Sequence, residues 1–154
     1  MSKNENIPAS QLFVRVFNQI LSWEEQGFKE LGFKGITLRE VHVLEAVFEL
    51  LKSDDNRMSE IAKFLSITPG SLTTAVNCLV KKGYLVRENK PDDRRVVMIM
   101  PTEKAKEVYT AHSRFREKMI AEIIEHADCG DNGLIYNLLK NLNLYFNKNQ
   151  NARG

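Results

Sequence analysis

The chain has 154 residues, a formal net charge of +2, 43% hydrophobic and 27% charged residues, which is the composition of an ordinary globular domain. It contains no apolar run long enough to cross a bilayer and no hydrophobic leader near Met1, so we expect a cytoplasmic protein without a membrane partner. Its two cysteines, Cys78 and Cys129, provide no disulfide framework, which agrees with a reducing compartment.

Two helices are predicted in the first third of the chain. Large apolar residues recur at helical spacing over residues 10–31, and their number exceeds what one small domain usually buries. The second helix begins with a capping box, in which Thr37 is followed three residues later by Glu40, and it continues to about Lys52. The first helix is therefore a candidate for an interface between subunits.

A helix-turn-helix is predicted next. Met58–Leu65 carries apolar residues on one face, and we expect Asp55 or Asn56 to cap this short helix. After a three-residue turn, Thr68 is suited to cap a second helix, and Pro69 to be its first residue, where a missing N–H costs nothing.

The outward face of this second helix is small, hydroxylated, amide-bearing and cationic. Hydroxyl and amide groups reach base edges in a major groove, and lysine reaches phosphate. The candidate DNA-binding residues here are Thr68, Gly70, Ser71, Thr73, Thr74, Asn77, Lys81 and Lys82. Gly83 follows as a left-handed residue that ends the helix.

A β-hairpin with a charged tip is predicted after Gly83. Residues 84–86 and 96–100 are rich in β-branched and aromatic side chains, and residues 87–95 form a polar loop between them. An arginine at such a tip can enter a minor groove, where the potential is most negative, and a nearby aspartate can hold its side chain. The candidate DNA-binding residues of this hairpin are Lys90, Asp93, Arg94 and Arg95.

The charge distribution gives modest support to this interpretation. From Arg57 to Lys104 there are nine basic and five acidic residues, a net charge of +4, so the remainder of the chain carries −2. Positive charge is thus concentrated in the segment that we expect to meet phosphate.

Two further helices are predicted in the last third of the chain. The first and last helices are strongly apolar and distant in sequence from the DNA-reading segment, so they suit a two-fold interface. We therefore expect a single domain over residues 1–154, mainly α with a small β-hairpin wing. Residues 37–102 form its winged helix-turn-helix lobe, and residues 10–31 and 103–147 form its dimerisation helices.

Four segments resemble the core signature of the MarR family of bacterial transcriptional regulators, namely residues 70–76, 79–85, 92–99 and 102–104. The most specific part is Asp93-Arg94-Arg95, which matches the Asp-x-Arg pattern of the family's wing. The resemblance implies a homodimer on double-stranded DNA at a pseudo-palindromic operator, with the helix from Pro69 in the major groove and Arg95 in the minor groove.

Residues 33–42 are also similar to the corresponding segment of the FabT-type repressors of fatty-acid synthesis within that family. This resemblance implies control of fatty-acid genes, with acyl carrier protein bearing a long acyl chain as co-repressor. The residues expected to line a pocket for a hydrophobic effector are Phe33, Ile36, His42, Leu44 and Phe115. A histidine in the core is an equally good interpretation of His42.

Alternative effectors are a small aromatic ligand, a metal or an oxidant. His112 and His126 lie fourteen residues apart on one helix, about 21 Å along its axis, so only His42 with His112 remains as a metal-binding pair. Neither Cys78 nor Cys129 has an evident basic neighbour that would activate its thiol, so we expect both to be inert. We assign no metal site and no cofactor.

An enzyme is not expected, because the sequence shows no nucleophile with a base, no paired carboxylates and no glycine-rich phosphate loop. A winged helix used only for protein interactions is the other alternative. Such a module does not need Arg94 and Arg95 beside a hydroxyl-rich helix, so this arginine pair favours DNA binding.

Overall fold

Six helices and one β-hairpin follow one another in the computed structural model, which describes residues 7–126 and 132–151. Their bounds are α1 Ala9–Glu30, α2 Leu38–Leu51, α3 Met58–Leu65, α4 Pro69–Lys81, β1 Leu85–Lys90, β2 Asp93–Pro101, α5 Glu103–His126 and α6 Asn132–Asn151. Cys129 lies outside the described residues. The chain divides into two compact units between Phe115 and Arg116. The predicted fold class, mainly α with a small hairpin wing, is confirmed.

α2 contributes more residues to the buried core of the first unit than its neighbours do. Val41, Leu44 and Val47 are completely buried, and α2 packs against α3, α4 and β2. The helix starts as predicted, since the Glu40 N–H donates to Thr37 Oγ1 at 3.3 Å and the Thr37 N–H donates to a Glu40 carboxylate oxygen at 2.8 Å. This capping box satisfies two backbone donors that have no partner within the helix.

α3 and α4 form the predicted helix-turn-helix. α3 ends at Ser66, whose left-handed backbone (φ +55°) turns the chain. Thr68 then caps α4 by accepting a hydrogen bond from the Ser71 N–H at 3.2 Å. The completely buried residues of α4 are Leu72, Val76 and Leu79. Because they share one side, the opposite side of α4 is left to solvent.

The segment before α3 differs from the prediction. The N-cap of α3 is Arg57, which makes no capping bond through its side chain, so a cap by Asp55 or Asn56 is wrong. Asn56 is completely buried and donates its side-chain amide to the Ile99 carbonyl on β2. In return, the Ile99 N–H donates to the Asn56 carbonyl at 3.0 Å. This link to the hairpin spans 43 residues of sequence, so local capping rules do not predict it.

β1 and β2 form an antiparallel hairpin that is longer than predicted. Pairing starts with Leu85 opposite Pro101, and the register shifts after Asn89. Only residues 91–92 remain as the turn, so the predicted loop over residues 87–95 is wrong. The residues that extend the hairpin beyond the prediction, 87–90 and 93–95, are exposed or half-buried, and backbone pairing there continues into polar sequence without an apolar face to signal it.

α1 and α6, in different units, both expose apolar side chains. α1 is buried only near Gly27, where an added Cβ would overlap the Phe115 ring. Large apolar residues of α1 that are at least 41% exposed are Leu12, Phe13, Val14, Val16, Phe17, Ile20, Leu21 and Trp23. Those of α6 that are at least 51% exposed are Leu134, Tyr136, Leu138, Leu139, Leu144, Tyr145 and Phe146. Within the described ranges, no helix has both the length and the apolar character of a transmembrane span.

Candidate nucleic-acid interface

The outward side of α4 is open and polar. Its exposed residues are Gly70, Ser71, Thr73, Thr74, Asn77 and Lys81, all of them predicted to bind DNA. Apart from its chain neighbours and the nearby backbone of α4, no heavy atom of the described residues lies within 4 Å of the place that a Cβ on Gly70 would take, so the start of the helix is unobstructed. Thr68 is exposed at the same end and donates its hydroxyl to Ser71 Oγ at 2.9 Å. The structure therefore brings these residues together on one accessible surface.

The hydroxyls of Thr73 and Thr74 are oriented by their own helix. Thr73 Oγ1 donates to the Pro69 carbonyl at 2.8 Å. Thr74 Oγ1 donates to the Gly70 carbonyl at 3.1 Å. Because each hydroxyl gives its one hydrogen to the backbone, its oxygen is left as an acceptor, which suits the amino groups of cytosine or adenine.

Arg95 and Asp93 make the contact that the wing pattern predicts. The Asp93 carboxylate accepts hydrogen bonds from the Arg95 N–H at 3.0 Å, from Nε at 3.0 Å and from Nη2 at 3.2 Å. These bonds hold the pKa of Asp93 below its ordinary value and raise the pKa of Arg95. The Arg95 side chain is nevertheless 91% exposed, so Asp93 orients the guanidinium without covering it.

The predicted lysines are not equivalent. Lys81 is exposed, whereas Lys82 Nζ lies 2.7 Å and 2.8 Å from the two carboxylate oxygens of Glu40 on α2. Lys90 Nζ lies 2.9 Å from Asp54 Oδ2. Carboxylates therefore neutralise Lys82 and Lys90 within the protein, while Lys81 has its charge available to a phosphate.

Arg87 joins this surface although sequence reasoning placed it in a loop and gave it no role. Its Nη2 donates to Asn77 Oδ1 at 2.6 Å, which connects β1 with the outward side of α4. Ten residues separate the two side chains, and they meet only because the hairpin packs beside α4. No local sequence signal identifies such a contact.

Cys78 differs from its prediction. It is a half-buried free thiol on α4 that interacts with both Glu40 and Lys82. Lys82 is thus a basic neighbour of Cys78, one helical turn further along the chain, which the sequence did not indicate, and the inertness of the thiol stays a prediction. Burial alone would raise the pKa of Glu40, but hydrogen bonds from Lys82 and the Thr37 N–H outweigh it, and the pKa is lowered.

A cavity of about 940 Å³ lies where α1 ends and α2 begins. The residues that line it are Leu21, Glu25, Phe28, Lys29, Gly32, Phe33, Lys34, Ile36, Thr37, Leu38, Arg39 and His42. Three of the five predicted effector residues, Phe33, Ile36 and His42, are thus brought together. Leu44 lies in the core instead, and Phe115 stacks on Trp23 with ring centroids 4.7 Å apart, so neither lines this cavity.

A buried network of carboxylates and histidines adjoins this cavity. His112 on α5 is completely buried, with Nδ1 2.8 Å from Glu45 Oε1 and Nε2 3.4 Å from Glu24 Oε1. The same Glu24 oxygen lies 3.1 Å from Nε2 of His42. Glu24 belongs to α1 and Glu45 to α2, so the network connects three helices and gives each buried carboxylate an oppositely charged or hydrogen-bonding partner.

The predicted pair of His42 and His112 is close in space, with ring centroids 6.1 Å apart. Among the described residues, however, no group of three histidine, cysteine, aspartate or glutamate side chains has an arrangement that could hold a metal ion. The pair belongs to the hydrogen-bonded network of histidines and carboxylates. The core-histidine interpretation applies better to the completely buried His112 than to the half-buried His42.

Comparisons with known proteins agree with this geometry. The MarR family profile matches residues 36–97. The HTH-type transcriptional regulator YhbI of Bacillus subtilis is 32% identical over 82 residues, which are 53% of this chain and 53% of YhbI. The chain thus spans about half the length of that curated relative.

Two solved structures resemble the chain over most of its length. FabT of Streptococcus pneumoniae, in a crystal structure with DNA, superposes with a TM-score of 0.76 and 28% identity, covering 90% of this chain and 95% of FabT. S. aureus MepR, in a complex with DNA, gives a TM-score of 0.70 at 18% identity over 89% of this chain and 97% of MepR. The likeness to MepR is one of fold alone.

Proposed function

We propose that the chain is a transcriptional repressor of the MarR family that binds a pseudo-palindromic operator as a homodimer. The observation that carries this proposal is the open polar side of α4 together with an exposed arginine of the wing, Arg95, whose guanidinium Asp93 orients. α4 enters the major groove, where its threonine oxygens and the Asn77 amide contact base edges. Arg95 enters the adjacent minor groove, and Lys81 contacts phosphate.

The homodimer is supported by the apolar side chains that α1 and α6 expose. Soluble monomers rarely expose large contiguous apolar surface, so a second copy of the chain covers these helices. Dimerisation presents two α4 helices to the same side of a duplex. Each copy then reads one half-site, which is why the operator is pseudo-palindromic.

The effector is proposed to be a long acyl chain carried by acyl carrier protein, acting as co-repressor of fatty-acid genes. The cavity at the end of α1 is lined by apolar residues that include Phe28, Phe33 and Ile36 and by the cations Lys34 and Arg39. A third lining cation, Lys29, lies 3.0 Å from the Glu25 carboxylate, which lines the same cavity. An acyl chain suits the apolar residues, and the acidic surface of a carrier protein suits the cations. The structural likeness to FabT agrees with the resemblance of residues 33–42 to the FabT-type repressors, and it is that resemblance that implies this co-repressor.

Operator selection from randomised duplex DNA tests the proposal. Purified protein is expected to select an inverted repeat, and long-chain acyl carrier protein, but not the unacylated carrier, is expected to tighten binding to it. A selected motif with no response to the acylated carrier would remove the co-repressor and leave the DNA-binding function. Recovery of no motif would contradict the repressor itself and favour a protein-interaction module.

A further inference from the structure

A hydrogen bond connects Arg87 on the wing with Asn77 on α4. Arg87 lies on β1 of the wing, and its Nη2 is 2.6 Å from Asn77 Oδ1 on the outward side of α4. Both side chains are exposed, so this hydrogen bond is made at the surface that faces the duplex in the proposed function. It connects the wing to the helix that reads bases.

The chemistry of the two groups fixes the orientation of the Asn77 amide. A guanidinium group has five N–H donors and no acceptor, so the amide atom that faces Arg87 has to be the oxygen. The amide nitrogen and its two N–H groups therefore point away from Arg87. A bond from a cationic donor is also stronger than one between neutral groups, so the oxygen is firmly held.

This orientation changes what Asn77 reads. A free asparagine recognises adenine with both ends of its amide, accepting from N6 and donating to N7. With its oxygen held by Arg87, Asn77 offers mainly the two N–H donors. Guanine presents two acceptors, N7 and O6, on its major-groove edge, so it matches these donors better than adenine does.

We propose that Arg87 is a specificity-determining residue that makes Asn77 select guanine instead of adenine at one position of each half-site. This inference rests on the proposed function, because it requires α4 to lie in the major groove. Arg87 itself acts as a positioning residue, since its guanidinium is bound to Asn77. A direct phosphate contact is the competing role for an exposed arginine of the wing, and it has a different signature.

The test compares base preferences of variants by operator selection followed by sequencing. The Asn77 position is identified first, as the one where N77A loses its base preference. Wild-type protein is expected to prefer guanine there, and R87M is expected to move the preference toward adenine by about tenfold, the effect of one good bidentate pair. R87K retains a cationic donor and is expected to keep guanine. R94M removes the same charge from the wing and is expected to lower affinity without changing this position.

Two results would overturn the inference while leaving the proposed function intact. One is a wild-type preference for adenine at the Asn77 position. The other is an R87M variant whose affinity falls by the same factor for all sequences, whose salt dependence is smaller and whose base preference at the Asn77 position is unchanged. That combination is the signature of an arginine that binds phosphate. Recovery of no motif by the wild type would instead contradict the proposed function, and this inference with it.

Discussion

The Arg95 side chain is oriented by its neighbour Asp93. Three hydrogen bonds fasten its backbone N–H and its guanidinium to Asp93, and the rest of the side chain projects into solvent. The Asp93 carboxylate is ionised at neutral pH, and its contacts with Arg95 lower its pKa further, so the orientation is present in the free protein. A long side chain that is already restricted loses less conformational entropy when it enters a groove.

Substitution of Arg95 should have an effect that depends on the flanking sequence. Arg95→Ala is expected to weaken binding most where the flank is A·T-rich, because a narrow minor groove concentrates negative potential. Fluorescence anisotropy with two duplexes, which differ only in an A·T-rich or G·C-rich flank, measures this difference. Arg114→Ala, which removes an exposed arginine of α5, serves as the control. Equal losses on both duplexes for Arg95→Ala would exclude the minor-groove role.

The neighbouring residues Lys81 and Lys82 form a matched pair for a second prediction. Lys81→Ala should make the slope of log affinity against log salt concentration less steep. The slope should change by about one unit for each phosphate that the lysine neutralises. Lys82→Ala should change that slope less, because Glu40 already neutralises this ammonium group, and should reduce the free energy of unfolding instead. Binding titrations at several salt concentrations distinguish them, and a larger change of slope for Lys82→Ala would reverse this assignment.

The link between α2 and α4 is electrostatic as well as apolar. Glu40 caps the start of α2 and also binds Lys82 at the end of α4, so one carboxylate serves both helices. Protonation of Glu40 therefore weakens the α2 cap and the contact with α4 together.

This link predicts a loss of stability in acid. The pKa of Glu40 is lower in the folded state than in the unfolded state. The Glu40 carboxylate therefore contributes fully to the free energy of unfolding at pH 7. This contribution is lost as the pH falls below the ordinary pKa of about 4.3 and then through the lowered pKa of the folded state. At pH 7, Lys82→Ala should cost about 1 to 2 kcal/mol of unfolding free energy. Urea denaturation of both proteins at pH 7 and pH 3 should show this difference shrinking in acid, and a constant difference would contradict the ion-pair account.

Elements with local signals were predictable from the sequence. The capping box at Thr37, the start of α4 at Pro69 and the Asp93–Arg95 contact each depend on residues within three positions of one another, and all three are confirmed. The Asn56 side chain and the Arg87 contact could not be predicted, because their partners lie on elements that meet only after folding. The length of the wing was missed for a related reason, since strand pairing there depends on backbone and not on side-chain pattern.

For the whole molecule, the exposed apolar side chains of α1 predict the oligomeric state. Phe17→Glu should shift the dimer toward monomer, because a charge would be buried without a partner at the proposed interface. Gln19→Glu adds the same charge to the same helix at a residue that is already polar, and should leave the dimer largely intact. Sedimentation equilibrium measures both masses, and a wild-type protein that is monomeric at micromolar concentration would contradict the homodimer.

The most direct test of the central claim is the dependence of affinity on the spacing of two inverted half-sites. A two-fold dimer with one α4 in each major groove should bind best when the half-site centres are about 34 Å, or about 10 base pairs, apart, with two chains on each duplex. Affinity should fall sharply when the spacing changes by half a turn, because the second half-site then faces the opposite side of the DNA. Equal affinity at all spacings, or one chain for each duplex, would contradict a homodimeric repressor that reads a pseudo-palindrome.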